Sequence, residues 1–266
     1  MLMGILNVTP DSFFDGGKYT TVDTALRRCE ELIAEGADII DIGGESTRPG
    51  AESVSEQDEM ARVLPVIEAI SRRFDIPVSI DTMKSKVARA SLDAGASILN
   101  DVSAMTADPR MLEVPQSFGA GVVLNHMRGE PRSMQQNPSY QNVVAEVREF
   151  LLDRIRTLAS LGLSKDHIAV DPGVGFGKRL EDNFALIEHI EEFDALGFPV
   201  MLGHSRKSFI GKTPGLENSD RLHPSVAVAV YGALKGVSIL RVHDVKATFE
   251  ALRMIESIQK SGNQKV

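Results

Sequence analysis

Tryptophan is absent from this sequence, tyrosine occurs three times, and aromatic residues together make up only 5% of it. A core built from these 266 residues must therefore be filled by Val, Ile, Leu, Ala and Met. A single cysteine, Cys29, excludes an internal disulfide framework and fits a reducing compartment. No apolar stretch approaches the roughly 18 residues of a membrane-spanning helix. The start, Met1-Leu-Met-Gly-Ile-Leu-Asn-Val8, lacks the basic residues and long apolar run of a secretory signal. A soluble, cytoplasmic chain is the expectation. Positive charge is also short: 29 basic against 37 acidic residues leave a net charge of −8 and a pI near 5.3. That balance argues against a surface that coats nucleic-acid phosphates or an anionic membrane. At 42% hydrophobic and 25% charged, the composition is otherwise that of a globular protein.

Several motifs are missing as well. The first apolar run is followed by Asn7-Val-Thr-Pro-Asp11 rather than a Gly-x-Gly-x-x-Gly turn, so no dinucleotide fingerprint opens the chain. There is no Cys-x-x-Cys, no His-Glu-x-x-His and no Ser-His-Asp order, so structural zinc and hydrolase triads are unsupported. Gly173-Val-Gly-Phe-Gly-Lys178 is glycine-rich but lacks the spacing and the following Ser/Thr of a phosphate-binding Walker loop. Cys29 falls on the apolar face of a helical period and reads as core, not as a nucleophile.

What is present alternates from end to end. Short apolar runs recur at Met3–Val8, Ala37–Ile42, Val78–Ile80, Ser97–Leu99, Gly121–Leu124, Ile168–Val170, Pro199–Leu202 and Ser238–Val242. They are apolar on both faces, as strands covered on both sides must be. Helical periods lie between them: Val22 to Ile33 ending at Gly36, Met60 to Ile70 after a Ser55 cap with Pro65 inside, Val143–Leu161, and Val245–Ile258. Eight strands alternating with about eight helices give a mainly parallel sheet. Most strands end in polar residues: Asn7, Asp41, Asp81, Asn100-Asp101, Asn125-His126, Asp171, and Arg241 with His243. A closed α/β barrel gathers such ends at one mouth, where an open sheet would scatter them. A (β/α)₈ TIM barrel is expected, with long loops after strands one and two, as a single domain over residues 1–266.

Two carboxylates and an amide at one mouth, Asp81, Asp171 and Asn100, suit a flat, nitrogen-rich heterocycle with amidine-like N–H donors. The plain alternative for each is a helix cap or turn. Ser205, Lys207, Arg241 and His243 follow the last two strands, where barrels bind phosphate, and give a donor-rich lining. Arg241 and His243 are two apart on a strand and share a face. Phosphate or diphosphate is the expected occupant. The loops Asn7–Lys18 and Gly43–Gly50 exceed usual βα lengths, and Phe13 and Phe14 in the first are expected to cover a substrate. The acidic run Glu181–Asp194 reads as a solvated helix face.

Taken together these blocks resemble the dihydropteroate synthase family. The likeness runs from Met3-Gly-Ile-Leu-Asn-Val-Thr-Pro-Asp-Ser-Phe13 through Asp41-Ile-Gly-Gly-Glu-Ser-Thr-Arg-Pro-Gly50, Asp81-Thr, Asn100-Asp, Asp171-Pro-Gly-Val-Gly-Phe-Gly-Lys178 and Ser205-Arg-Lys-Ser-Phe209 to Arg241-Val-His-Asp244. The resemblance implies a barrel that joins 4-aminobenzoate to 6-hydroxymethyl-7,8-dihydropterin diphosphate in folate synthesis. It implies that Asp81, Asn100 and Asp171 hold the pterin, with Lys207 and Met127 beside its ring. Arg241 and His243, with Asn7 and Mg²⁺, would hold the diphosphate. Thr47 and Arg48 would come from the second loop, Ser205, Pro49 and Phe13 would shape the aminobenzoate pocket, and Asp15 could help close the site. A homodimer is implied too.

Two departures stand out. Family members usually carry a segment before the first strand, so a cap across the barrel bottom is expected to be missing. Leu222-His-Pro-Ser225 differs from the commoner small-residue version and bears on packing or the dimer contact. Two other readings share the barrel: a pterin-binding methyltransferase module serving a corrinoid partner, and a non-catalytic pterin-binding paralogue. The first would not need the Thr-Arg-Pro-Gly loop or the Ser-Arg-Lys-Ser-Phe motif. The second should show a broken loop or a lost basic residue. Both motifs are present, and neither defect is.

Overall fold

The computed structural model describes residues 1–9, 21–46, 50 and 53–263. Its first half runs β1 (Leu2–Asn7), α1 (Thr21–Ala34), β2 (Ile39–Gly43), α2 (Glu56–Arg73), β3 (Val78–Asp81), α3 (Ser85–Asp93), β4 (Ile98–Asp101), α4 (Val114–Phe118) and β5 (Gly121–Asn125). The second half continues through α5 (Val143–Ser160), β6 (Ile168–Asp171), α6 (Leu180–Glu188), α7 (Glu191–Asp194) and β7 (Met201–Leu202). It closes with α8 (Ser208–Gly211), α9 (Leu222–Leu234), β8 (Ile239–Val242) and α10 (Val245–Asn263). All eight strands are parallel, in the order β6-β5-β4-β3-β2-β1-β8-β7. A single bridge, Val170 to Val200, joins the two ends and brings the sheet round into the expected barrel. Among the described residues no helix is long and apolar enough to cross a membrane.

Local sequence explains the helix ends. Ser55 caps α2, its hydroxyl accepting from the Asp58 amide at 3.1 Å, and α2 runs on through Pro65 to Arg73. Gly36 follows α1 in the left-handed conformation, where a side chain would meet the Phe249 ring. Cys29 is fully buried in α1, and burial pushes its thiol up to about 12, which bears out the core reading.

The register sets which polar residues reach the interior. Met3, Ile39, Val123, Ala169, Met201 and Ile239 form one apolar layer inside the barrel, with Ile98 packed against it. Side chains alternate along a strand, so two residues further on lie Asp41, Asn100, Asn125, Asp171 and Arg241, on the same side. Asp81 pairs with Asn100, and Asn125 with Asp171, in the ladder itself. Strands three to six therefore extend through their polar ends, beyond the apolar runs that mark them in the sequence.

Asp101 and His126 have the opposite parity and do not join the mouth. Asp101 closes the turn after β4, accepting from the Ser103 amide at 2.7 Å and the Met105 amide at 3.1 Å. His126 packs edge-on to Phe150 of α5. The acidic run of α6 and α7 also differs in part from a solvated face, because Asp182 is buried and forms an ion pair with Arg179.

The structure adds a third long connection, residues 126–142 after β5. It is tied to the glycine-rich segment after β6: the Tyr140 hydroxyl donates to the Gly177 carbonyl at 2.8 Å, and Gln135 Nε2 donates to the Gly175 carbonyl at 2.7 Å. Gly173, Gly175 and Gly177 all have positive φ. A Cβ on Gly173 would lie 1.8 Å from the His126 carbonyl oxygen, so only glycine fits that crossing.

Candidate active site

Arg241 lies at the centre of the mouth. Its Nε donates to Asp41 Oδ2 at 2.6 Å, and its Nη2 donates to Asp81 Oδ2 at 2.7 Å. Asn100 Nδ2 also donates to Asp41 Oδ2, at 3.3 Å. Strands β2, β3, β4 and β8 thus contribute one polar side chain each to a connected array. One oxygen on each of Asp41, Asp81 and Asn100 is buried without a hydrogen-bond partner among the described residues. Buried acceptors of this kind are costly unless something donates to them.

Asp171 enters from β6. Its Oδ1 accepts from the Gly173 amide at 2.7 Å, and its Oδ2 accepts from the Gly203 amide at 3.2 Å. Gly203 marks the meeting point of the two halves. A Cβ there would lie 3.3 Å from Asp171 Oδ2, 3.9 Å from Arg241 Cδ and 4.0 Å from Lys207 Nζ. The Lys207 ammonium donates to the Val174 carbonyl and sits 3.9 Å from the centre of the Phe176 ring. His243 and Ser205 form the far edge: Ser205 Oγ accepts from the His243 amide at 3.2 Å and lies 3.1 Å from His243 Nδ1.

Electrostatics follow from this packing. Burial works against the charge on Arg241, but Asp41 and then Asp81 more than offset it and hold the guanidinium above its usual range. One guanidinium cannot balance two carboxylates fully. Burial, eased by Arg241 and reinforced by Asp41, pushes Asp81 up to about 7. Asp171 is also raised by burial, with Lys207 opposing. Lys207 is lowered to about 7, chiefly by burial, with Asp171 opposing and Arg241 adding to the fall. Arg241 and Lys207, the two cations expected to line the mouth, are half-buried, and each lies close to carboxylate.

The remaining expected residues divide clearly. Met127 is half-buried beside Met83, Val102, Met134 and Phe176, an apolar cluster between the β4 and β6 ends. Asn7 is half-buried at the end of β1, and its Oδ1 lies 3.5 Å from where a Cβ on Gly43 would stand. Phe13, Asp15, Thr47, Arg48 and Pro49 lie outside the described residues. A separate cavity of about 420 Å³, lined by Asn142, Arg179 and His189 among others, contains none of the mouth residues.

Three features escape the sequence reading. Asp41 is expected there at a strand end but not as a site residue, although its i, i+2 parity with Ile39 places it inside. Lys178 is buried, with its Nζ 2.9 Å from His126 Nδ1. Lys84 bridges the fully buried Glu59, at 2.5 Å, and Glu45 of the second loop, at 2.6 Å.

The pterin binding enzyme family profile matches residues 3–243. Dihydropteroate synthase of Escherichia coli K12 is 45% identical over 96% of this chain and 90% of its own length. The chain belongs to the dihydropteroate synthase family. A solved family member, Xanthomonas albilineans dihydropteroate synthase with 4-aminobenzoic acid, superposes with a TM-score of 0.91 at 45% identity, covering 97% of this chain and 92% of that one. The same enzyme in complex with 7,8-dihydropteroate gives 0.87 at 42% identity, covering 97% and 93%. Family membership accounts for the barrel and the mouth together. Ser225, in the stretch that departs from the commoner version, is buried here. Its carbonyl lies 2.9 Å from His204 Nε2, and its hydroxyl accepts from the Arg206 amide at 3.0 Å.

Proposed function

We propose that this chain is a transferase that condenses 6-hydroxymethyl-7,8-dihydropterin diphosphate with 4-aminobenzoate, giving 7,8-dihydropteroate and diphosphate. The observation that carries the reading is the Asp41–Arg241–Asp81 array facing Asp171 and Lys207 across Gly203. In the reaction the C–O bond to diphosphate breaks and its electron pair leaves with the diphosphate oxygen. The aniline nitrogen supplies the pair for the new C–N bond and gives up one proton. Positive charge develops on the pterin methylene and ring, negative charge on the leaving group.

The mouth answers both charges with preorganised groups. Asp81 and Asp171 accept from the N–H edge of the pterin and favour its cationic form, while Asn100 adds a buried acceptor. Lys207 donates to the ring, and Met127 packs against it. Arg241 carries five N–H donors, of which its contacts with Asp41 and Asp81 use two. Others, with His243 and Ser205, serve the diphosphate. A neutral arylamine is already nucleophilic, so no covalent enzyme intermediate is required. On the family resemblance, Ser205, Pro49 and Phe13 are assigned to the aminobenzoate side, with Thr47 and Arg48 coming from the second loop.

Magnesium fits the donor set as an ion carried with the substrate. Mg²⁺ typically takes one or two protein oxygens and leaves its other positions to phosphate and water. Among the described residues no cluster of three His, Cys, Asp or Glu could cage a metal, whereas the Asn7 amide oxygen stands near Gly43 at the mouth. When bound, Mg²⁺ would neutralise diphosphate charge.

We also assign a homodimer in the cytoplasm. Ala227, Tyr231 and Leu234 are exposed at i, i+4 and i+7 on α9, a largely apolar stripe suited to a second copy. Sedimentation should give a mass near twice 28.9 kDa. The catalytic reading is tested with purified protein, the pterin diphosphate, 4-aminobenzoate and Mg²⁺. One dihydropteroate should appear per diphosphate released. Folded protein that yields no dihydropteroate would sink it.

A further inference from the structure

We propose that Lys178 is a positioning residue for the pterin site, its buried amino group tying the 173–178 segment to the end of β5 and thereby seating Phe176 and Lys207. The proposal rests on the reading that this mouth binds a pterin.

Lys178 is 3% exposed. A buried amino group is costly unless its N–H groups find acceptors. Three acceptors lie within reach: His126 Nδ1 at 2.9 Å, the His126 carbonyl at 3.3 Å and the Phe176 carbonyl at 3.0 Å. Burial, Lys178 and Arg128 together hold His126 down to about 2, so its ring is neutral and Nδ1 can accept. Burial, with Lys207 adding to it, holds Lys178 well below the usual lysine range, a cost that a methionine filling the same space would avoid. Core filling alone therefore does not explain a lysine here.

Two of the bonds fall on His126 and the third on Phe176, one of the two supports of Lys207. Phe176, whose carbonyl Lys178 holds, places its ring 3.9 Å from Lys207 Nζ. Val174, two residues earlier in the same segment, offers its carbonyl to that Nζ. At Gly175 the packing is close enough that a Cβ would lie 2.7 Å from Lys207 Cδ. On the other side, His126 is followed directly by Met127, which shares a cluster with Phe176. Tyr140, Gln135 and Asn183 also hold this segment, but among these ties Lys178 is the one that joins Phe176 to His126, next to Met127. Without it, Phe176 loses that tie, and the seat of Lys207 loosens with it.

A double-mutant cycle separates positioning from plain stabilisation. The affinity for 6-hydroxymethyl-7,8-dihydropterin diphosphate with Mg²⁺ is measured by calorimetry for wild type, Lys178→Met, Lys207→Met and the double variant. Lys178→Met should weaken binding about tenfold, yet add less than about twofold in the Lys207→Met background. Losses that multiply, or a lower melting temperature with unchanged affinity, would overturn the proposal. If Lys178→Met does not fold, His126→Gln replaces it in the cycle, with the same non-additivity expected. Failure of both to fold would make Lys178 a folding residue and likewise overturn the proposal. Wild-type protein that does not bind the pterin would instead overturn the functional reading on which the proposal stands.

Discussion

The guanidinium of Arg241 reaches Asp81 at 2.7 Å although 160 residues separate them in the chain. The pairing of β8 with β1 and the curl of the sheet bring them together, because β3 lies two strands further round from β1. The same guanidinium holds Asp41, so one side chain is shared between two buried carboxylates. Removing it should therefore affect stability as well as substrate binding.

Arg241→Met is expected to lower unfolding free energy by about 3–5 kcal/mol at neutral pH, the usual loss when one partner of a buried ion pair is removed. Chemical denaturation provides the measurement. Asp81→Asn in the Arg241→Met background should recover part of the loss. No recovery would mean that the array is not the source.

Asp81 has a proton affinity raised in the folded state, to about 7. The folded protein then holds a proton that the unfolded chain has released between its ordinary value, near 4, and about 7. The contribution of this group to stability is fully present below pH 4, falls as pH rises to about 7, and is constant above. Asp81→Asn should remove that decline. Lys207 gives the opposite slope, because its lowered value makes the unfolded chain the better proton binder between about 7 and its ordinary value near 10. Lys207→Met should flatten the rise in stability over that interval. Denaturation midpoints measured from pH 4 to 10 check both signs.

Gly173 and Gly119 both have positive φ, at 70° and 62°. A Cβ on Gly119 meets nothing within 4 Å, whereas one on Gly173 collides with the His126 carbonyl. Gly119→Ala should cost roughly 1–2 kcal/mol from backbone strain alone. Gly173→Ala should cost more and should also weaken pterin binding, which Gly119→Ala leaves unchanged. Paired melting and binding measurements separate the two effects.

Lys84 is the expected anchor of the second loop's stem. Its ammonium bridges Glu59 and Glu45, and Glu45 Oε1 accepts from the Val54 amide at 2.8 Å. Lys84→Met strands the carboxylate of Glu59, so a loss of about 3–5 kcal/mol is expected near pH 7. Acidification should narrow the difference from wild type, because burial raises the proton affinity of Glu59 and its protonated form tolerates the loss. A pH-independent difference would contradict this.

The barrel is legible in the sequence because a strand covered on both faces must be apolar throughout, and the polar residue at its end breaks that pattern visibly. Asp81, Asn100 and Asp171 can be read as a group for the same reason. Asp41 carries the same signal, since it stands two residues beyond Ile39, but Gly43 and the long loop that follows mask it. Asp101 and His126 lie next to mouth residues in the chain, and strand alternation sends them outward. Lys178 and Lys84 are not legible at all. Both are long side chains, Lys178 buried and Lys84 half-buried, held by acceptors far away in sequence, at His126 and at Glu59. Pattern reading assigns such residues to solvent, and only the packed structure shows their partners.

In the proposed reaction Arg241 serves the diphosphate end of the substrate rather than the pterin ring. The most direct test compares two ligands, 6-hydroxymethyl-7,8-dihydropterin diphosphate and the same pterin lacking the diphosphate, on wild type and Arg241→Ala. Dissociation constants measured with Mg²⁺ should show a loss for the diphosphate at least about tenfold greater than for the bare pterin, about 1.4 kcal/mol. Equal losses for both ligands would place Arg241 elsewhere in the reaction and contradict the account.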